Sequence, residues 1–205
     1  MKEKLKYPFY VMTHPLDGFY EVRHRDKGSV LVSLLIIFLF AISYSFNRLY
    51  ASFVVNAVNP RSVDLVWEMV SVFVLVIVFG VANWSVTCLM EGEGRFKDII
   101  TTLGYSMLPM VLMFIPATLF SQVLASNEDA FYFIIYYGSI IWFIMLAIIG
   151  IMTIHNFTFG KTFITLICTV VALIVIIFLI LLISTLLRQV QDFFGSIYDE
   201  IMFRL

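Results

Sequence analysis

Residues 83–109, NWSVTCLMEGEGRFKDIITTLGYSMLP, decide how this chain folds. The stretch begins at the end of one apolar run, passes through a charged turn at residues 91–98, and opens the next apolar run. Glycine permits tight turns, and proline interrupts the backbone hydrogen bonds of a helix. The stretch therefore predicts a bend between two long apolar segments, with a charged connector in the middle of the chain.

The composition of the chain is that of an integral membrane protein. Of the 205 residues, 61% are hydrophobic and 13% are charged, whereas a soluble domain has about 45–50% apolar and about 25% charged residues. The net charge of −1 gives no reason to expect a nucleic-acid partner. Cys88 and Cys168 both lie inside apolar runs and are expected to behave as small buried hydrophobes, without disulfide or metal-type spacing.

Five stretches without Asp, Glu, Lys or Arg are long enough to cross a bilayer. About 20 helical residues at about 1.5 Å each span the roughly 30 Å of hydrocarbon. Helices are expected because the stretches are continuously apolar rather than alternating. The five stretches are residues 28–47, 69–90, 99–127, 130–160 and 162–187. The predicted fold is all-α and polytopic, with a five-helix transmembrane domain at 28–187 between segments 1–27 and 188–205.

The distribution of basic residues predicts the orientation of these spans. Nine of the 13 Lys and Arg residues fall on the side of the N-terminus, because the segment before the first span and the second and fourth connectors share that side. The other four are Arg48, Arg61, Arg188 and Arg204. Loops rich in Lys and Arg stay in the cytoplasm. The N-terminus is therefore predicted to be cytoplasmic and, after five spans, the C-terminus lies outside.

Two amphipathic helices are expected at the cytoplasmic surface. One begins at Pro15, and the other precedes the third span, ends at Gly104 and carries Lys97 and Asp98 on its polar side. Aromatic side chains beside cations favour the headgroup region, so both helices are expected to lie along the membrane. Their apolar positions are Leu16, Phe19 and Tyr20 in the first, and Phe96, Ile99, Ile100 and Leu103 in the second.

The segment 188–205 predicts a third amphipathic helix, which continues the fifth span outside the membrane. Its apolar positions follow helical spacing and are Val190, Phe193, Phe194, Ile197 and Ile201. An exposed apolar stripe needs cover. The bilayer surface, the outer loop after the first span, or a second protein could each provide it.

A few residues inside the apolar stretches stand out. Asn83 is the most polar side chain well inside the second span, and it should bond to a neighbouring helix or contact a substrate or partner. Pro109 and Pro116 predict a kinked third span, which either packs against other helices or lines a cavity. His155 is expected at the headgroup level, with one hydrogen bond.

The sequence contains none of the motifs that mark common enzymes. It has no zinc-protease His-Glu-x-x-His, no Gly-x-Ser-x-Gly, no Walker loop and no dinucleotide fingerprint. The intramembrane stretches also lack the paired carboxylates that a proton-coupled carrier or an aspartyl protease needs. The chain is therefore predicted to be a non-enzyme that needs no metal or cofactor.

The central stretch resembles the hallmark region of the Yip domain family, five-span membrane proteins named for interaction with Ypt/Rab GTPases in eukaryotes. Residues 15–19 are similar to the short motif that precedes the membrane in this family, and His155-Asn156 with Lys161 to the inner turn of bacterial members. Only 27 residues precede the first predicted span, which is closer to bacterial members than to eukaryotic ones. The residues that carry the central resemblance are Asn83, Gly92, Gly94, Phe96, Lys97 and the run Gly104 to Pro109.

The resemblance implies a multi-pass protein of the bacterial cytoplasmic membrane. Its bacterial members have no agreed activity and sometimes occur alongside transport components. The leading hypothesis is an accessory or scaffold subunit whose cytoplasmic face binds another membrane component, such as an ABC-type transporter. The expected partner-binding residues are Leu16, Asp17, Phe19, Glu91, Glu93, Arg95, Phe96 and Lys97. The motif residues Asn83, Trp84, Gly104, Tyr105, Pro109 and Pro116 are expected to set the bend that presents this face.

Two other hypotheses remain open. The kinked third span could form a pathway for a small molecule or lipid, with Asn83 and Tyr105 as polar contacts. Alternatively, the amphipathic helices at both termini could shape the membrane. Membrane lipids are expected partners in every case, and the chain could also form a homo-oligomer.

Overall fold

The computed structural model describes residues 2–56, 58–125 and 127–204, and leaves the side chains of residues 2, 3, 199, 201 and 204 undescribed. Within these ranges the chain forms eight α-helices and one 3₁₀ turn at Pro60–Ser62. The predicted all-α class is confirmed. The helices are α1 (Lys2–Thr13), α2 (Pro15–His24), α3 (Val30–Tyr50), α4 (Leu65–Leu89), α5 (Phe96–Ser106), α6 (Leu108–Ser121), α7 (Asp129–His155) and α8 (Phe159–Arg204).

Five segments of the described chain are long and apolar enough to cross a membrane. They are Val30–Tyr50, Leu65–Leu89, Phe96–Ser121, Asp129–His155 and Phe159–Tyr198. Each contains most of one of the five predicted stretches, so the polytopic character of the chain is confirmed. The third segment combines α5 and α6 and is the most deeply enclosed, whereas α8 is almost entirely exposed. The core therefore lies where α3, α5, α6 and α7 pack together.

Helix α5 lies inside the bundle, which corrects the expectation that it runs along the membrane surface. Its residues from Asp98 to Ser106 are all buried. Two of its hydroxyl groups bond within the helix, since Thr101 Oγ1 donates to the Lys97 carbonyl at 2.7 Å and Ser106 Oγ to the Thr102 carbonyl at 2.8 Å. The buried Thr102 Oγ1 has no hydrogen-bond partner in the described part of the chain. A Thr or Ser whose hydroxyl bonds to its own helix can be buried at low cost. The polar residues of this helix therefore do not require a position at the membrane surface.

The junction between α5 and α6 lies at Met107, where the backbone N–H still donates to the Leu103 carbonyl at 3.1 Å. Pro109 is in the first turn of α6. In a helix that ran on from α5, an N–H at that position would bond to the Tyr105 carbonyl, so a break at Met107 is consistent with the kink predicted from Pro109. Pro116 does lie inside α6. The bend predicted for this region therefore falls before Pro109.

Two close helix contacts fix the arrangement of α5. A Cβ atom at Gly104 would lie 2.1 Å from Ser33 Oγ of α3, and that hydroxyl donates to the Ile100 carbonyl at 2.7 Å. A Cβ atom at Gly150 of α7 would lie 2.3 Å from Thr102 Cγ2. Both glycines are needed because the backbones approach more closely than any side chain allows. Gly104 therefore sets helix packing within the bundle rather than ending a surface helix.

Helices α1 and α2 cover one end of the bundle, here called the N-terminal end. Helix α2 packs against α7, and the ring of Phe19 is fully buried, 3.1 Å from where a Cβ on Gly150 would lie. The Tyr7 hydroxyl donates to the Gly18 carbonyl at 2.8 Å and joins α1 to α2. The segment before the first span is thus packed onto the helices of the bundle.

Helix α8 continues far beyond the bundle. Its 46 residues correspond to about 69 Å at about 1.5 Å per residue, more than twice the thickness of the hydrocarbon layer. All side chains described from residue 177 to residue 198 are exposed, including Val190, Phe193, Phe194 and Ile197. Ile201 of the predicted stripe and Leu205 fall outside the described side chains. Cys88 and Cys168 are also exposed on the protein surface, which corrects their expected burial.

Candidate functional site

A cluster of charged side chains joins α2, the connector between α4 and α5, and the start of α5 at the N-terminal end. An Nη2 N–H of Arg23 donates to the Glu93 carbonyl, and Arg23 Nη1 lies 3.6 Å from Asp98 Oδ2. Since Arg23 lies near the end of α2, the first contact fixes the connector against that helix and the second fixes the start of α5. Two sequence stretches that are about 70 residues apart therefore meet here.

Asp98 is the centre of this cluster, with only 3% of its surface exposed. Its Oδ2 accepts the Arg95 backbone N–H at 3.2 Å and lies 2.9 Å from Arg95 Nε. A buried carboxylate is tolerated only when it is paired and hydrogen-bonded, and Asp98 meets both conditions. The amphipathic pattern predicts Asp98 on the polar side of a surface helix, and its burial in this cluster corrects that expectation. The sequence signal for this role was a capping box, in which Arg95 is the N-cap residue of α5 and Asp98 stands three positions later.

Asp26 joins the same cluster from the end of α2. Its Oδ1 lies 3.2 Å from Lys97 Nζ and 3.1 Å from Arg95 Nη2. The hydrogen bond and charge of Lys97, followed by those of Arg95, hold the pKa of the Asp26 carboxyl below its ordinary value. Arg95 therefore connects an exposed carboxylate to a buried one. The same two carboxylates raise the pKa of its guanidinium, Asp98 having the larger effect.

His155 ends α7 beneath the connector, with 1% of its surface exposed. Its Nδ1 accepts the Gly94 backbone N–H at 3.1 Å, and its ring stacks on Phe157 with 5.3 Å between centroids. A Cβ atom would lie 2.5 Å from Nδ1 if placed on Gly92 and 2.6 Å from Cε1 if placed on Gly94. Both glycines are thus required by the histidine ring. His155 makes the single bond expected of it, but it is enclosed by protein.

The predicted partner-binding residues divide into two groups. Leu16, Asp17, Glu91, Glu93, Arg95, Phe96 and Lys97 are all exposed. Phe19 is fully buried between α2 and α7 and cannot contact a partner, because it occupies the apolar side of α2. Arg95 is exposed but committed to Asp26 and Asp98, and Phe96 packs edge-on against Trp84 at 6.1 Å between centroids. The exposed residues of this list, together with Tyr20, are called the α2–connector face below.

The motif residues lie at separate helix contacts. Asn83 is fully buried, and its Nδ2 donates to Thr169 Oγ1 at 3.1 Å, which links α4 to α8. Tyr105 is also fully buried, and its hydroxyl accepts the Ser29 backbone N–H at 3.0 Å. An apolar gap of about 430 Å³ lies between α4, α5, α7 and α8, but neither residue lines it. The structure therefore does not join these two polar groups in one passage.

No group of three or more His, Cys, Asp or Glu side chains within the described ranges could hold a metal ion. The cluster at the N-terminal end contains two carboxylates and several cations, an arrangement that satisfies itself through ion pairs. Its evident physical effect is to hold the connector, α2 and α5 in a fixed relation.

Five apolar spans, an enclosed third span and a closed N-terminal end define this chain as a polytopic α-helical integral membrane protein. The model of the Yip1 domain matches residues 9–182, which is well over half of the chain. The chain therefore belongs to the Yip1 domain family. No curated protein and no solved structure matches it.

Proposed function

We propose that this protein is a non-enzymatic accessory or scaffold subunit that binds another membrane component through the α2–connector face. The observation that supports the proposal is the linkage of two distant stretches into one surface. Arg23 of α2 bonds to the connector at Glu93, and Asp26 pairs with Lys97 of α5. A surface held by buried and exposed ion pairs is preorganised, which lowers the entropic cost of binding.

The chemistry of this face suits a protein partner. Leu16 and Tyr20 are 57% and 52% exposed, and with Arg23 they follow at i, i+4 and i+7 along one stripe of α2. Asp17 follows Leu16 in the chain, and Glu93 and Lys97 are exposed charged residues of the same α2–connector face. Apolar anchors within a polar rim are typical of protein interfaces. An ABC-type transporter subunit on the cytoplasmic side of a bacterial membrane is one partner of this kind.

The experiment that tests the proposal replaces the apolar pair. Leu16→Glu combined with Tyr20→Glu places two carboxylates on the exposed stripe without touching the ion pairs. The protein is then purified in mild detergent, and the co-purifying proteins are measured by mass spectrometry. The amount of bound partner should fall about tenfold, which corresponds to a loss of about 1.4 kcal/mol in binding free energy. Phe53→Glu is the matched control, because Phe53 is 89% exposed in the loop after α3, at the other end of the bundle.

The same set of co-purifying proteins in the α2 variant and the Phe53 control would contradict the proposal. Arg95 is unsuitable for this test, because it pairs with the buried Asp98. Substituting it would leave that carboxylate short of a cation and would unfold the site. Lys97→Gln is a suitable second variant, because it removes one exposed cation and leaves Asp26 paired with Arg95. It should weaken binding of the partner while the protein stays folded.

A further inference from the structure

A groove between α3 and α4 lies at the end of the bundle opposite to the N-terminal helices. Its volume is about 590 Å³. Arg48 in the last turn of α3 and Glu68 in the first turn of α4 face each other across it, with 3.1 Å between Arg48 Nη1 and Glu68 Oε1. The groove lies where the apolar spans end, so its mouth carries both signs of charge at the membrane boundary.

The Arg48 guanidinium is held in place but is not saturated by protein groups. Its Nη1 donates to the Tyr44 hydroxyl at 3.2 Å, and its carbon lies 5.7 Å from the centre of the Tyr44 ring. Nε is enclosed without a hydrogen-bond partner, while the side chain as a whole is 32% exposed. A guanidinium has five N–H donors and suits phosphate oxygens. The exposed part of Arg48 is therefore available to an anionic group in the groove.

The groove changes from polar to apolar along its length. Polar groups of Ser62, Asp64 and Ser71 line it near the charge pair, together with Trp67, which is 69% exposed. Phe40, Val72 and Leu75 line its other part. The eight residues from Arg48 back to Phe40 correspond to about 12 Å along α3. Tryptophan is typical of the headgroup level. A ligand that fits must be charged at one end and apolar at the other.

We propose that this groove binds a phospholipid with a zwitterionic, primary-amine headgroup, as in phosphatidylethanolamine. Arg48 takes the phosphate, Glu68 accepts hydrogen bonds from the ammonium group, and one acyl chain lies along Phe40, Val72 and Leu75. Charge complementarity excludes a purely anionic headgroup, because the carboxylates of Glu68 and Asp64 both line the groove and would repel it. A trimethylated headgroup has no N–H to donate to Glu68, so it satisfies only half of the site.

The test measures lipid binding to the full chain purified in detergent. Matched lipids with ethanolamine, choline and glycerol headgroups are added separately, and bound lipid is counted by native mass spectrometry. The ethanolamine lipid should be retained about tenfold better than the other two. Inorganic phosphate alone should not compete, because the acyl chain supplies part of the binding.

Three variants identify the groove as the binding site. Arg48→Gln with Glu68→Gln removes both charges together, leaves no charge unpaired, and should abolish the headgroup preference. Leu75→Trp fills the apolar part without touching the charges and should reduce retention of all three lipids. Arg61→Gln is the control, because Arg61 is exposed outside the groove at the same end of the bundle. This variant should bind the three lipids as the unmodified protein does.

Four results would overturn the proposal. Equal retention of the three lipids would show that the bound lipid is ordinary bilayer lipid without headgroup selection. Competition by inorganic phosphate would show that the groove is a simple anion site. An unchanged headgroup preference in the double variant would place the binding elsewhere. Should the double variant fail to fold, unchanged retention in Leu75→Trp would overturn it by itself.

Discussion

At the scale of single residues, the motif glycines of the connector are explained by one buried side chain. Gly92 and Gly94 have negative φ angles, so their backbone conformation does not require glycine. The ring of His155 occupies the space where their side chains would be. The histidine in turn accepts the Gly94 N–H. Two neighbouring glycines and a histidine about 60 residues further along the chain thus form one packing unit.

We expect Gly94→Ala to destabilise the protein, because its new methyl group would lie 2.6 Å from the His155 ring. Overpacking of this kind costs about 1–3 kcal/mol. Thermal unfolding in detergent should show a lower Tm. Gly138→Ala is the matched control, since nothing lies within 4 Å of its new Cβ, and it should be neutral or slightly stabilising. Equal Tm values for the two variants would contradict this account of the connector.

The Asp26 ion pairs predict a pH dependence of stability. Lys97 and then Arg95 lower the pKa of Asp26 in the folded protein below its ordinary 3.8. A depressed carboxyl pKa means that the unfolded chain binds the proton more readily, so stability rises with pH in this window. The contribution is complete above about pH 3.8 and is lost as the pH falls through the lowered folded pKa.

The measurement compares the Tm of the unmodified protein and of Asp26→Asn as the pH is lowered from 6 to 3. The variant should be less stable near pH 6, and the difference should shrink toward pH 3. Asp17→Asn serves as the control, because Asp17 is exposed and has no ion pair in the described part of the chain. A constant difference across the range would show that Asp26 acts through packing alone.

At the scale of helices, α5 and α8 are opposites. Helix α5 is short and carries a buried Asp and several hydroxyl groups, yet it lies in the core. Helix α8 is the most apolar of the spans, yet it packs mainly against α4 and leaves most of its surface exposed. Hydrophobicity in a membrane protein therefore does not identify the core, because lipid is as apolar as the protein interior.

We expect removal of residues 188–205 to leave the Tm of the bundle unchanged, because the side chains described there are exposed. The same deletion tests the membrane-shaping hypothesis. Vesicles that contain the full chain should have the same curvature as vesicles that contain the shortened chain, if α8 only extends the fifth span. A lower Tm would show that the extension packs on the bundle, and flatter vesicles would support membrane shaping.

At the scale of the whole molecule, the five spans place the connector and the α3–α4 loop at opposite ends. The charge cluster around Asp98 closes one end, and the Arg48–Glu68 pair lies at the other. The proposed partner surface and the proposed lipid groove are therefore separated by the thickness of the membrane. Each can be tested without disturbing the other.

The predicted orientation can be checked by cysteine labelling in intact cells. Cys88 and Cys168 are first replaced by serine, and a single cysteine is then introduced at Glu93 or at Arg61, both of which are exposed. A membrane-impermeant reagent should label position 61 directly and position 93 only after permeabilisation, since the basic loops are expected inside. The reverse pattern would overturn the proposed cytoplasmic location of the α2–connector face.

The contrast between what was predictable and what was not follows from the range of the physical forces. Periodicity and charge are local properties, so the spans, the helix at Pro15 and the apolar stripe of Phe96 could be predicted. Burial of Asp98 depends on Arg23, which is 75 positions earlier, and burial of Phe19 depends on α7. Such partners cannot be identified from spacing alone.

Local patterns in the chain suffice to predict an all-α membrane protein with five spans and a glycine-containing connector, because long uncharged runs and glycine positions need no tertiary information. Three features depend on the folded chain instead: α5 enters the core, His155 fills the space left by Gly92 and Gly94, and Arg48 pairs with Glu68. The physical reason is that pairing energies of buried polar groups arise between distant residues, and the fold alone brings those residues together.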